Sequence, residues 1–296
     1  MALFVNITLL PLCVDFHSPG DYFLFIFHTL AGASTVLVAG SVALGIINTR
    51  ALMRQNRFIF MLNTSLCDTL TGCSIFYQFL FDVRVTYPSN NVTDYISPSL
   101  LGVNMMTFLF AQFDRYFAVC HPFFYARVIS IRVTVCANVL CWVYVYGLLL
   151  TQLLVPLSLA IKIELYSRTS VQVIIVTKVA MTVRLLIVAR HQLLREPPGP
   201  DRDNKKESLL IVIVVVVLFM LLWSPALIYK LVSRLTGINV EFKNDATDPV
   251  RILSRSNALC TPTLYLWASP SLRAAVWKTV WRKICCCKSP KRLVTD

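Results

Sequence analysis

Phe113-Asp114-Arg115-Tyr116-Phe117-Ala118-Val119-Cys120-His121-Pro122-Phe123-Phe124-Tyr125 places two adjacent opposite charges at the end of an apolar run that begins near Ile96. Ionisable groups at a membrane edge cost free energy unless they are paired or solvated. A guanidinium at Arg115 can bond the neighbouring Asp114 carboxylate or reach a facing helix. One side chain with two such arrangements is the raw material of a conformational switch. A solvated helix end is the plainer reading of the same three residues. The rest of the chain has to decide between them.

Working outward, the 296 residues are 56% hydrophobic and 15% charged, well below the quarter of charged residues usual in soluble domains. The apolar residues are clustered into runs long enough to cross about 30 Å of hydrocarbon, which takes about 20 residues as a helix. Seven runs are read, over residues 22–47, 58–81, 96–119, 133–159, 171–189, 209–231 and 249–267. Backbone amides in lipid must be paired within the segment, and the runs are too long for barrel strands, so each is expected to be a helix. The fold class expected is an all-α seven-transmembrane helix bundle, followed by a short amphipathic helix. Residues 1–21 form an extracellular tail in this reading, 22–268 the membrane domain and 269–296 a cytosolic helix and tail.

The net charge of +13 does not point to nucleic acid. The basic residues sit in short links and in the tail: Arg50, Arg54 and Arg57, then Arg127 and Arg132, then Arg190, Arg195, Lys205 and Lys206. Their clustering on alternate links puts the N-terminus outside and the C-terminus in the cytosol. The plasma membrane is the expected location. The sequons at Asn6 and Asn91 then face outside and can be glycosylated, whereas Asn63-Thr64-Ser65 falls inside the membrane.

Three more segments carry charge or a helix break where a membrane span least tolerates them. Asp68 lies in the middle of the second run and needs a cation, a proton or polar neighbours. Trp223-Ser224-Pro225 puts a proline inside the sixth run, where the missing donor and the ring kink a helix. Thr261-Pro262-Thr263-Leu264-Tyr265 does the same near the end of the seventh. After it, Ser269-Pro270 suits a helix cap and first residue. Leu272, Val276, Val280 and Ile284 then recur every four residues among basic side chains, the pattern of a helix lying on the inner leaflet. Cys285, Cys286 and Cys287 follow as palmitoylation candidates, with a metal site as the alternative.

In this order the motifs resemble those of rhodopsin-like (class A) G-protein-coupled receptors, over about residues 22–288. Asp114-Arg115-Tyr116 is similar to the D-R-Y motif, and the phrase from Phe113 to Tyr125 looks like that of olfactory receptors. Trp223 and Pro225 match C-W-x-P with Leu222 in place of cysteine, and Pro262 and Tyr265 match N-P-x-x-Y with Thr261 in place of Asn or Asp. The resemblance implies activation-switch roles for Asp114, Arg115, Tyr116, Trp223, Pro225, Pro262 and Tyr265. It also implies a sodium ion at Asp68, with oxygens from Asn104, Asn257 and Thr261; a hydrogen-bonded structural aspartate is the alternative. A heterotrimeric G protein is the expected partner, and the surrounding membrane lipids are the other.

Departures from the family are visible. The outer end of the third run reads Ser89-Asn90-Asn91, and residues 162–168 hold no cysteine, so the family's extracellular disulfide is not expected. Gly40 replaces an asparagine in the first span, and the fifth lacks the usual proline. Ser97 stands where amine receptors carry an aspartate. Cations occur instead, at Lys178, Arg251 and Arg255. With Ser97 and Trp223 they suggest a pocket for a small-molecule or lipid ligand carrying a negative group; snorkelling of Arg251 and pairing of Lys178 within the protein are the alternatives. No nucleophile elbow, phosphate loop or metal spacing argues for an enzyme. A chemosensory receptor, a small transporter and a non-signalling receptor partner are the rival functions.

Overall fold

The computed structural model describes residues 19–80, 96–195 and 249–286, with residues 214, 217, 218, 221 and 222. Among them every regular element is a helix. In chain order these are α1 (Pro19–Ile47), α2 (Arg50–Met53), α3 (Asn56–Leu80), α4 (Ile96–Cys120), α5 (Pro122–Val128), α6 (Ile131–Leu154), α7 (Leu157–Arg195), α8 (Pro249–Ala268) and α9 (Pro270–Val276). A π turn over Trp277–Trp281 joins α9 to α10 (Arg282–Cys286). Asn6, Asn91, Trp223, Pro225 and Cys287 lie outside the described residues, as do the side chains of Ser97, Arg251, Cys285 and Cys286.

Among the described residues, four helices are long and apolar enough to cross a membrane, over Phe25–Ile47, Asn56–Phe76, Ile131–Leu154 and Ser158–Val188. Their surfaces are inverted relative to a soluble protein. Leu37 and Leu44 on α1, Val139, Leu140 and Val143 on α6, and Val173, Val176 and Ile187 on α7 are exposed. Asp68, Asn104, Gln112, Lys178 and Asn257 are buried. Water would penalise each exposed aliphatic side chain by about 1.5–3 kcal/mol relative to burial; lipid does not. The chain is a membrane-embedded helical protein.

The helices close on one another. α3 is central, packing on α1, α4, α6 and α8, and α4 packs on α6 and α7; α8 returns to α1 and α3. The α1–α3 seam is set by glycine. A Cβ on Gly72 would lie 2.8 Å from Val36 Cγ2 and 3.2 Å from the Gly32 carbonyl, so the backbones meet where no side chain intervenes. Without a hydrophobic drive between helices in lipid, such close approach is a main source of association. At the C-terminal end of α1, a Cβ on Gly45 would come within 2.5 Å of Val276, which docks α9 against the first helix. Val42, Ile46, Phe58, Leu272 and Val276 fill that junction.

Two boundaries differ from the sequence reading. The fourth run does not continue to residue 159, and residues 162–168 are not a link. α6 stops at Leu154, and α7 runs unbroken for 39 residues, about 58 Å at 1.5 Å per residue. Pro156 makes the break: the residue before a proline is driven from the helical region, and Val155 is extended at φ −92°, ψ 160°. The polar stretch after it stays helical because it holds no breaker. Its hydroxyls bond inside the helix, Thr169 to the Leu165 carbonyl at 2.9 Å and Ser170 to that of Ser167 at 2.7 Å. The last amphipathic segment also departs from simple periodicity. Ser269 caps α9 as its sequence implies, accepting from the Leu272 amide at 3.4 Å. The π turn then delays the helical phase, so Leu272 and Val276 are buried while Ile284 is 60% exposed.

Candidate functional site

The middle of the assembly is polar, and α3 supplies most of it. Asn104 Nδ2 of α4 donates to Asp68 Oδ1 at 2.8 Å, with Asp68 1% and Asn104 3% exposed. One turn away on α3, the Thr64 hydroxyl donates to the Tyr265 hydroxyl of α8 at 3.3 Å. On the same face of α8, Thr261 donates to Asn257 Oδ1 at 3.3 Å, and both are buried. Three chain segments that are distant in sequence thus meet around Asp68. Pro262 lies inside α8, where its ring removes the backbone bond to residue 258.

This cluster has the composition of a cation site. Asp68 Oδ2, Asn104 Oδ1 and Ser65 Oγ are buried oxygens without a hydrogen-bond partner among the described residues. Ser65 is one turn before Asp68 on the same face of α3. Unsatisfied buried acceptors are costly, and a carboxylate with neutral oxygens is the donor set that suits a hard monovalent cation. The residues fit sodium. Thr261 spends its hydrogen bond on Asn257, so those two are tied together within α8.

A second network was not foreseen. Asn63 Nδ2 donates to Thr107 Oγ1 at 2.7 Å, and Trp142 Nε1 donates to Asn63 Oδ1 at 2.8 Å. One buried amide therefore joins α3, α4 and α6. Asn138 Nδ2 reaches the Ile59 carbonyl at 3.5 Å beside it. The signal lay in the sequon-like Asn63-Thr64-Ser65, whose polar residues inside an apolar run needed partners.

At the far end of α4 the Asp114 carboxylate accepts from the Tyr125 hydroxyl at 3.1 Å, and Asn56 Nδ2 donates to the same hydroxyl at 3.2 Å. Burial and then the nearby Asp114 charge push the Tyr125 phenol above its ordinary pKa. α5 presents Tyr125 inward because Pro122 starts the helix beside His121. Tyr116 and Phe117 stack edge to face at 5.7 Å, and Phe117 meets Phe124 at 5.4 Å. Arg115 is half-buried in the same turn of α4 as Asp114. Sequence reasoning named Asp114 and missed both Tyr125 and Asn56.

Lys178 is fully buried. Its ammonium lies 5.0 Å from the centroid of the Phe108 ring, a cation–π distance. Beside it Gln112 Nε2 donates to Thr182 Oγ1 at 2.6 Å, and Thr182 donates to the Lys178 carbonyl at 2.7 Å. Phe108 is six residues from Asp114 and eleven from Ser97, roughly 9 and 16 Å along the axis. Lys178 therefore belongs to the Asp114 half of α4. Arg255, half-buried on α8, is ten residues from Tyr265, roughly 15 Å. Of the suggested ligand residues Ser97, Lys178, Trp223, Arg251 and Arg255, the side chains of Ser97, Trp223 and Arg251 lie outside the described residues.

No family model and no curated protein matches the chain. What the residues can do is read from their geometry alone: a buried carboxyl–amide pair suited to a cation, and a charged rim held by a tyrosine.

Proposed function

We propose that the chain is a rhodopsin-like G-protein-coupled receptor of the plasma membrane, with its N-terminus outside and seven spans. Its ligand is small and carries a negative group held by Arg255. The carrying observation is the convergence of Asp68, Asn104 and Tyr265, from three separate motif segments, on one buried polar core. A ligand that binds one shape of the outer half better than another shifts the population toward that shape. In this reading the polar core passes the shift inward, the sixth span bends at Pro225 under Trp223, and Arg115 meets a heterotrimeric G protein. The Tyr125–Asp114 bond supports the last step, because it occupies the carboxylate with a partner other than Arg115.

The test is nucleotide exchange. Purified chain in lipid nanodiscs, mixed with each class of G protein and screened with small carboxylates, phosphates and sulfates, should accelerate exchange on at least one class. Arg115→Ala should abolish the acceleration. A fully silent screen with correctly folded protein would reject the reading.

One rival draws on a specific observation. Asp68 and Lys178 are both buried in the interior, as the ionisable residues of an ion path would be. Proteoliposomes that carry a steady ion or anion flux, lost in both Asp68→Asn and Lys178→Met, would favour a transporter.

A further inference from the structure

The short helix α5 has two chemically opposed faces. Tyr125 points inward to Asp114 and Asn56. Phe123 and Arg127, four residues apart and so on one face, point away from it. Phe123 is 92% exposed, more than any other large apolar side chain among the described residues. Phe124 and Val128 flank it, also exposed, and Arg127 and Arg132 supply exposed cations. α5 is not one of the spans, so Phe123 is not explained by the lipid that surrounds α6 and α7.

We infer that α5 docks on the acidic inner leaflet of the membrane, Phe123, Phe124 and Val128 entering the headgroup boundary while Arg127 and Arg132 bind anionic phospholipid.

Two observations single out lipid as the occupant. The exposed apolar residues of α5 are followed at once in the chain by those at the start of α6, Ile131, Val133 and Val135, and α6 is long and apolar enough to cross a membrane. The cations beside it have the sign that attracts acidic headgroups, and an aromatic flanked by arginines is the composition of an interfacial helix. Docking has a structural consequence. The leaflet would hold the outer face of α5 while Tyr125 on the inner face holds Asp114, so lipid charge would bear on the Asp114–Tyr125 hydrogen bond. The inference rests on the cytosolic placement of α5 in the topology proposed above, but not on coupling to a G protein.

The full chain with p-benzoylphenylalanine in place of Phe123 tests it, reconstituted in vesicles of phosphatidylcholine with and without phosphatidylserine in both leaflets. Irradiation should add the mass of one phospholipid at that residue. The yield should fall at least threefold without phosphatidylserine, and equally in Arg127→Gln/Arg132→Gln. The same photoreactive residue at Val128 serves if the first variant does not accumulate. Absence of a lipid adduct, a yield indifferent to lipid charge, a cross-link to a second copy, or a preferred cross-link to added purified G protein would each overturn the inference. Because acidic lipid is present on both sides, a wrong topology leaves the readout intact, and the two failures are distinguishable.

Discussion

Asn104 donates to Asp68 across the α3–α4 interface at 2.8 Å, and the other carboxylate oxygen has no hydrogen-bond partner among the described residues. Half the carboxyl group is satisfied, and a sodium ion would satisfy the other half. Replacing sodium by choline should therefore lower the thermal unfolding midpoint of the detergent-purified protein by a few degrees, the shift that about 1 kcal/mol gives in a chain of this size. Asp68→Asn should show no sodium dependence. An equal shift in both proteins would remove the cation from the site.

Asn63 is the hub that joins Thr107 and Trp142. Asn63→Ala leaves an indole N–H and a hydroxyl without that partner inside the assembly, at a cost of about 1–3 kcal/mol each where no water enters. The unfolding midpoint should drop clearly. Trp142→Phe should cost less at this hub, because it removes the donor along with its need. Differential scanning fluorimetry of the two variants, side by side, decides the order.

Gly45 lies under Val276 with no room for a methyl group. Gly45→Ala should push α9 off the C-terminal end of α1, at about 1–3 kcal/mol of overpacking. Limited trypsin digestion should then cut at Arg273 or Lys278 several times faster than in the parent. Val276→Ala in the same chain should restore part of the resistance, which a merely misfolded variant would not show.

Tyr125 spans Asn56 and Asp114 through one oxygen. Tyr125→Phe removes that oxygen and keeps the ring. If the bond keeps the Asp114 carboxylate off Arg115, ligand-driven nucleotide exchange should fall severalfold while the fold is retained. Unchanged exchange, in a preparation where Arg115→Ala does alter it, would make the bond purely structural.

Much of the helical layout was legible because lipid imposes simple rules. Long apolar runs must be helices, and α1, α3, α4 and α8 start and stop within a few residues of where those runs do. The α6–α7 boundary was misplaced because run length was given more weight than Pro156, whose effect on Val155 is local and certain. The depth of Lys178 was not legible. Its place along α7 depends on where that helix begins, and the error over residues 162–168 carried through to the residue. At the core, Asp68 advertised a need for partners, and Asn104 was found by motif order. Tyr125 and Trp142 carry no such advertisement, since aromatic residues are equally at home in a packed interior or at a membrane boundary.

The glycine seam between α1 and α3 bears on how the chain is made. These two spans leave the ribosome one after the other, and the short α2 segment between them lets them meet at once. Asp68 is then already inside the insertion machinery, whereas Asn104 lies 36 residues further on and has yet to be synthesised. A nascent hairpin closed by Gly32 and Gly72 would shelter the carboxyl group between two helices during that wait. Substitution of either glycine is thus felt first as failed membrane insertion, before any loss of the finished protein's stability.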